Sequence, residues 1–450
     1  MTGNTHTRRR LLKATGATLV GGAFAGCAGA PRADETAAST ETEATATTAT
    51  TAGPDLPMHD VLLDEADLVT APQHDVEDLR DLMVVIEREN ESVAVVDTVN
   101  HERIARIRDV GRAIHFADFP SNLPEGTREG AYAYTQSREG WMYKLDLWGF
   151  ERVARVRNAT SARGLAVAGN DEYVAGGFYN PKALFVADAG DMAPVRTIAT
   201  SGKNADGEVV DSQVHTLYDV PKQNAFLFAL HEAGRIQMVD YTSDEFPVVA
   251  DIPVASRLHD GFFGPDERYF FVASQGDNVM GVVDTEKREL AAKIDTSKVP
   301  HPGPGAVDPE RKRAYTTHMG APKVTVWDLE NFEVVDTIDV PGKGLFIRYH
   351  PASDYVWADV LFDTEETNSV VYTIDPETLE VEHVIDCAEW GKGRSLHPIF
   401  TRDGSRVYVS LWDAGKLLVF DSNTAELVTE IDGFTTPTGK FPAARAEGHS

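Results

Sequence analysis

Apolar residues fall along the chain in runs of five or six separated by polar turns: Tyr269-Phe-Phe-Val-Ala, then Val279-Met-Gly-Val-Val-Asp284, then Leu290-Ala-Ala-Lys-Ile-Asp295. Runs this short, rich in Val, Ile, Tyr and Phe with Gly or Asp-Gly between them, predict antiparallel strands rather than helices. The Asp that closes the middle run recurs at Asp97, Asp146, Asp188, Asp240, Asp284, Asp328, Asp375 and Asp421. The mean interval of about 46 residues fits four-stranded propeller blades. Eight marks predict an all-β fold, an eight-bladed β-propeller over residues 61–450. The segment Thr435-Thr-Pro-Thr-Gly-Lys-Phe441 has no module of its own. It is expected to supply the innermost strand of the blade begun at residues 82–106, closing the ring with no open sheet edge. Function is then expected on the loops around the inner strands, which converge on the axial cavity.

The first sixty residues lack this pattern. Thr7-Arg8-Arg9-Arg10-Leu11-Leu12-Lys13 matches a twin-arginine export signal, and the apolar stretch from Ala14 to Ala25 is too short to span a bilayer. It ends at Phe24-Ala25-Gly26-Cys27, a lipobox-like sequence, so residues 1–27 read as a lipoprotein signal with Cys27 the lipidated residue. A free cysteine beside an uncleaved anchor is the other reading. Residues 28–60, Ala, Thr, Glu and Ser with few large apolar side chains, read as a flexible, disordered tether. Export, and anchoring to the outer face of the cytoplasmic membrane, are the expected localisation. The remaining cysteine, Cys387, leaves no disulfide framework.

Charge narrows the partners. With 71 acids against 42 Lys plus Arg the formal net charge is −29, which argues against nucleic acid. The acids are spread along the chain and Arg outnumbers Lys two to one. This pattern suits a halophilic protein, whose acidic surface stays hydrated while salt screens its self-repulsion.

Seven of the fourteen histidines keep blade register. His115, His215, His259, His301 and His397 fall at or just before inner strands, and His231 and His318 fall after second strands. For any one of them, a bond to a turn carbonyl is an equal alternative. For the set, a bound metal or metallocofactor is the better reading, since neutral imidazole suits iron, copper and zinc.

The words Arg112-Ala-Ile-His115, Leu145-Asp-Leu-Trp148, Val239-Asp-Tyr-Thr242, His259-Asp-Gly, Pro300-His-Pro-Gly303, Thr317-His-Met-Gly320, Leu345-Phe-Ile, His350-Pro351 and Thr436-Pro-Thr-Gly-Lys-Phe441 stand in order over residues 80–441. Together they resemble the haem d1 domain of the cytochrome cd1 nitrite reductases, a family that includes single-domain paralogues assisting haem d1 assembly. The resemblance implies a haem d1 cofactor, with His115 as the iron ligand. It also implies a catalytic pair, His259 and His318, that binds and protonates nitrite. Arg163 and Arg394 match positions that hold haem carboxylates, a grip to which guanidinium is suited. A bridge between blades through a carboxylate is the alternative for each. Arg112, on the cavity loops, is expected to join them in binding the cofactor. Tyr179 and Phe178 are expected either to pack on the macrocycle or to fill core.

The chain also departs from the family. It has no Cys-x-x-Cys-His, so a reductase would need an external electron donor protein, whereas an assembly factor would work with other haem d1 assembly proteins. Gln213 stands where the reductases carry an arginine, and His215 and His397 are additions. The retained pair favours redox chemistry on nitrite; the missing haem domain favours assembly. Copper held by most of the seven histidines, or a non-catalytic scaffold, are readings from other classes.

Overall fold

The computed structural model describes residues 56–121 and 130–443. The export signal, Cys27 and the tether as far as residue 55 lie outside the described residues.

Every run of the repeat becomes a strand, and the strands form eight four-stranded antiparallel blades. Blade 1 orders Pro437–Pro442, Leu82–Glu87, Ser92–Asp97 and Glu102–Arg108 from the inside outward, and blade 2 runs Phe116–Asp118, Tyr132–Gln136, Trp141–Asp146 and Glu151–Arg157. Blades 3 to 8 begin at the inner strands Ser161–Val167, Val214–Val220, Leu258–Phe263, Pro300–Asp308, Ile347–Arg348 and Ser395–Phe400. The ring closes as the sequence predicts. The last strand pairs with Leu82–Glu87, Val84 opposite Phe441 and Val85 opposite Lys440, so neither chain end leaves an unpaired inner edge.

The recurring Asp has a structural cause. It stands at the end of the third strand of each blade, and its carboxylate accepts from backbone N–H groups of the next turn: Val99 and Asn100 on Asp97, Glu330 and Asn331 on Asp328, Asn423 and Thr424 on Asp421. A side chain that replaces a turn's missing backbone partner fixes where the third strand stops and the fourth begins.

Among the described residues apolar side chains from facing blades fill each of the eight blade interfaces, with a second cluster of Leu345, Leu361, Leu396 and Trp412 between blades 7 and 8, instead of one central core. Trp327 fills the junction of blades 5 and 6 and Trp357 that of blades 7 and 8, both fully buried. The axis is therefore left to polar and aromatic side chains of the inner strands.

Two features escaped the sequence pattern. Met58–Val61, partly within the span read as tether, is a fifth strand on the outer edge of blade 2, paired with residues 154–157. A hairpin of Ser201–Lys203 and Val209–Asp211 joins blades 3 and 4. Among the described residues no helix is long and apolar enough to cross a membrane.

Candidate functional site at the propeller hub

The inner strands break register at one level of the ring. In blade 4 Val214 faces Leu230 but Leu217 faces Phe228; in blade 5 the step is Leu258 to Gly261, and in blade 8 Leu396 to Ile399. Each step holds one extra residue, a β-bulge, and each bulge contains a histidine: His215, His259 and His397. Arg163 occupies the matching step between Ala162 and Leu165 of blade 3. In blade 6 the break follows His301, which still faces Thr317. A bulge removes a side chain from the in-and-out alternation of a strand and re-aims it, here toward the axis. Ala113, Arg257 and Val299, two residues before His115, His259 and His301, share a left-handed backbone with φ of 49°, 52° and 56°. The chain thus enters three inner strands through the same strained corner.

The re-aimed side chains encircle the axis. Ring centroids run from Phe116 of blade 2 to Phe441 of blade 1 at 4.9 Å, to His397 of blade 8 at 6.0 Å, and to Phe346 at the start of blade 7 at 4.5 Å. The circuit goes on to His301 at 6.2 Å, His259 at 5.1 Å, His215 at 5.0 Å and Tyr179 of blade 3 at 5.0 Å. Arg163 completes it, donating from Nε to His115 Nε2 of blade 2 at 2.9 Å. All eight blades contribute.

Arg163 and Asp260 organise the charge inside this circle. The guanidinium of Arg163 also reaches the His215 carbonyl at 3.2 Å and Asp260 Oδ1 at 2.7 Å. Asp260 stands 3.1 Å from His259 Nδ1, without hydrogen-bond geometry, and its Oδ2 is 3.2 Å from His301 Nε2. His301 Nδ1 bonds the Leu345 carbonyl at 2.9 Å. Gly303 keeps this corner open, since a Cβ there would lie 2.5 Å from that carbonyl and 3.0 Å from the His301 ring.

These imidazoles are neutral. Burial, then the Arg163 charge, lowers His259 to about 3, and the same two causes hold His115 well below its ordinary value. His215 is likewise held well below by burial and by His259, and His301 is lowered by burial despite Asp260. Burial opposes ionisation of Asp260, but the Arg163 guanidinium at 2.7 Å outweighs it and keeps the carboxylate charged. Because Arg163 donates to His115 Nε2, that nitrogen carries a lone pair, the form in which imidazole binds a metal.

The hub gathers His115, Arg163, Tyr179 and His259 from the expected site residues, and leaves three others out. His318 is fully buried at the end of the second strand of blade 6, its Nδ1 held by the Lys323 carbonyl at 2.9 Å and its Nε2 3.3 Å from Thr325 Oγ1. The ring that His259 meets from blade 6 is His301. Arg112 points outward from the left-handed turn at Ala113 and pairs with Glu91 at 2.6 Å; the arginine charges that reach His115 are those of Arg163, Arg138 and Arg88. Arg394 grips Asp413 through Nε and Nη2 and lies over the Trp412 ring at 3.9 Å. Tyr179 stacks on His215 beneath Arg138, whereas Phe178 is buried core between blades 2 and 3. His231 stacks on His215 at 4.0 Å and bonds the Leu258 carbonyl. The seven histidines therefore do not converge on one ion. Among the described residues, the one histidine and carboxylate group close enough to hold a metal is His259, Asp260 and His301, and Arg163 already occupies its carboxylate. Asp260 is the residue the sequence reading missed, although it stands inside the His259-Asp-Gly word.

The hub fits a tetrapyrrole. It offers an unprotonated imidazole nitrogen, a buried guanidinium able to take a carboxylate, a circle of flat rings, and ring nitrogens on His215 and His397 that have no hydrogen bond among the described residues. A family model described as the Cytochrome D1 heme domain matches residues 77–446. The chain belongs to this family. Among relatives of the haem d1 domain protein, a nitrite reductase of Stutzerimonas stutzeri is 30% identical over 401 residues, covering 81% of this chain and 70% of that one. The dihydro-haem d1 dehydrogenase of Pseudomonas aeruginosa is 29% identical, covering 86% and 75%, and protein NirF of that organism 27%, covering 82% and 92%. The solved structure of the dihydro-haem d1 dehydrogenase NirN in complex with DHE superposes with a TM-score of 0.76 at 28% identity, over 87% of this chain and 81% of that one.

Proposed function

We propose that this propeller binds haem d1 or its dihydro form in the hub and completes the tetrapyrrole by removing hydrogen from it, passing electrons to an external acceptor. The observation that carries this reading is the placement of His259 and His301 on either side of Asp260, with Nδ1 of the first 3.1 Å and Nε2 of the second 3.2 Å from its carboxylate oxygens. The expected pair was His259 and His318; His318 bonds Lys323 within blade 6, and His301 is the ring that stands beside His259 and Asp260. Removing two hydrogens releases two protons and two electrons. His259 and His301 are placed to accept the protons, and Asp260, 3.1 and 3.2 Å away, stabilises each imidazolium as it forms. His115 Nε2 would hold the iron once Arg163 turns from it, and Arg163 would hold a carboxylate of the macrocycle. When bound, the group supplies a redox-active iron and a conjugated ring that can carry electrons away.

A second reading, reduction of nitrite to nitric oxide and water with one electron and two protons, is favoured by Arg163 beside two proton carriers and by the 30% identical reductase. In either reading the partner is an external redox protein. The sequence of residues 1–27 supports export, with the body held by a lipid on Cys27 at the outer face of the membrane.

The test is to incubate the protein with the dihydro tetrapyrrole and an acceptor dye, and separately with haem d1, nitrite and a reduced dye. Conversion of the tetrapyrrole, lost in His259→Ala and in His301→Ala, is expected. Nitric oxide in the second assay with no conversion in the first would reverse the order of the two readings.

A further inference from the structure

Arg348 lies two residues beyond Phe346 in the inner strand of blade 7 and is 5% exposed. Its Nε and Nη1 are buried and have no acceptor among the described residues. Its charge reaches three other blades: it lowers His397 of blade 8 and Lys440 of blade 1, and opposes the rise of Tyr218 of blade 4. The buried acid of the neighbouring strand, Asp359, makes no ion pair with it among the described residues. Asp359 accepts from the backbone N–H groups of Leu345 and Phe346 through Oδ1 and of His397 through Oδ2, each at 2.9 Å. Lys440 is also fully buried, and its Nζ donates to Ser410 Oγ at 2.7 Å. A guanidinium cannot shed its proton as a buried lysine can, and a buried charge without a partner is costly.

We propose that Arg348 is the centre of a second site in the hub, separate from the His259, Asp260 and His301 group, that binds a small anion. Its chemistry is that of a halide or a compact oxyanion, and the carboxylate of a bound tetrapyrrole is the other source of the same chemistry. The site belongs to the protein without cofactor, so its test stands apart from the reading given above.

The experiment uses tetrapyrrole-free protein at constant ionic strength, with gluconate, too bulky for the hub, exchanged stepwise for bromide, and thermal unfolding as the readout. Stabilisation that saturates with bromide is expected in the wild type and absent in Arg348→Met, while Arg348→Lys retains it with weaker affinity. In gluconate alone Arg348→Met should unfold above the wild type, since it removes an unpartnered buried charge. Crystals soaked in bromide should show an anomalous peak beside Arg348. A peak lost when the tetrapyrrole is added assigns the site to its carboxylate, and a peak retained assigns it to a free anion. Identical bromide responses in the wild type and Arg348→Met, with no peak at Arg348, would overturn the proposal.

Discussion

Asp260 shares its two oxygens among a guanidinium and two imidazoles, and the protonation of the hub follows from that placement. Asp260→Asn would leave Arg163 buried without its carboxylate. Breaking a buried pair from one side costs about 3–5 kcal/mol, so urea unfolding should show a loss of that order, with Arg163→Met in the same background restoring part of it. The histidines set a pH dependence of definite sign. Each of His115, His215, His259, His301 and His397 has a folded pKa below its unfolded one. The unfolded chain therefore binds more protons below about pH 6.5. The stability due to their burial in neutral form is complete above that pH and falls as the pH drops, by up to about 1.4 kcal/mol per unit per histidine. Asp260, also depressed, adds a loss in the same direction at lower pH, below the ordinary carboxylate range. A profile of unfolding free energy from pH 8 to 4 checks this, and His259→Gln should flatten its slope by one histidine's share.

At the scale of the element, the repeat is held by turn chemistry. Asp328 accepts the N–H groups of Glu330 and Asn331, so Asp328→Ala should cost about 1 kcal/mol in chemical denaturation with no change at the hub. This chemistry is also why the fold could be read from sequence: the Asp that stops the third strand needs only local geometry, and it marks every blade. The bulges left no comparable mark. Whether a histidine near the start of an inner strand faces the axis depends on one extra residue against the partner strand, which no composition reveals. His301 and His318 show the consequence. Both belong to blade 6 and both sit in words shared with the family, yet the first lines the hub and the second bonds Lys323 of its own blade. Arg112 and Arg394 were legible as cations near cavity loops, but not their neutralisation by Glu91 and Asp413, whose side chains come from other strands or turns.

At the scale of the whole molecule, one strand holds the ring shut. Truncation before Pro437 would remove the innermost strand of blade 1 and expose Leu82–Glu87 as an unpaired apolar edge. A lower melting temperature and association by light scattering are expected, with the wild type staying monodisperse under the same conditions. The net charge of −29 acts on the same scale. If the acidic surface is matched to salt, raising ionic strength from about 0.05 M to 1 M shortens the screening length from above 10 Å to about 3 Å and should raise the melting temperature. Cofactor binding in the hub depends on the unprotonated nitrogen that His115 presents there. Titrating the purified protein with haem d1, followed by absorption, tests this most directly. One equivalent bound per chain, with a shifted spectrum that His115→Ala loses or alters, is the predicted result. No binding by the wild type, or the same spectrum from His115→Ala, would contradict it.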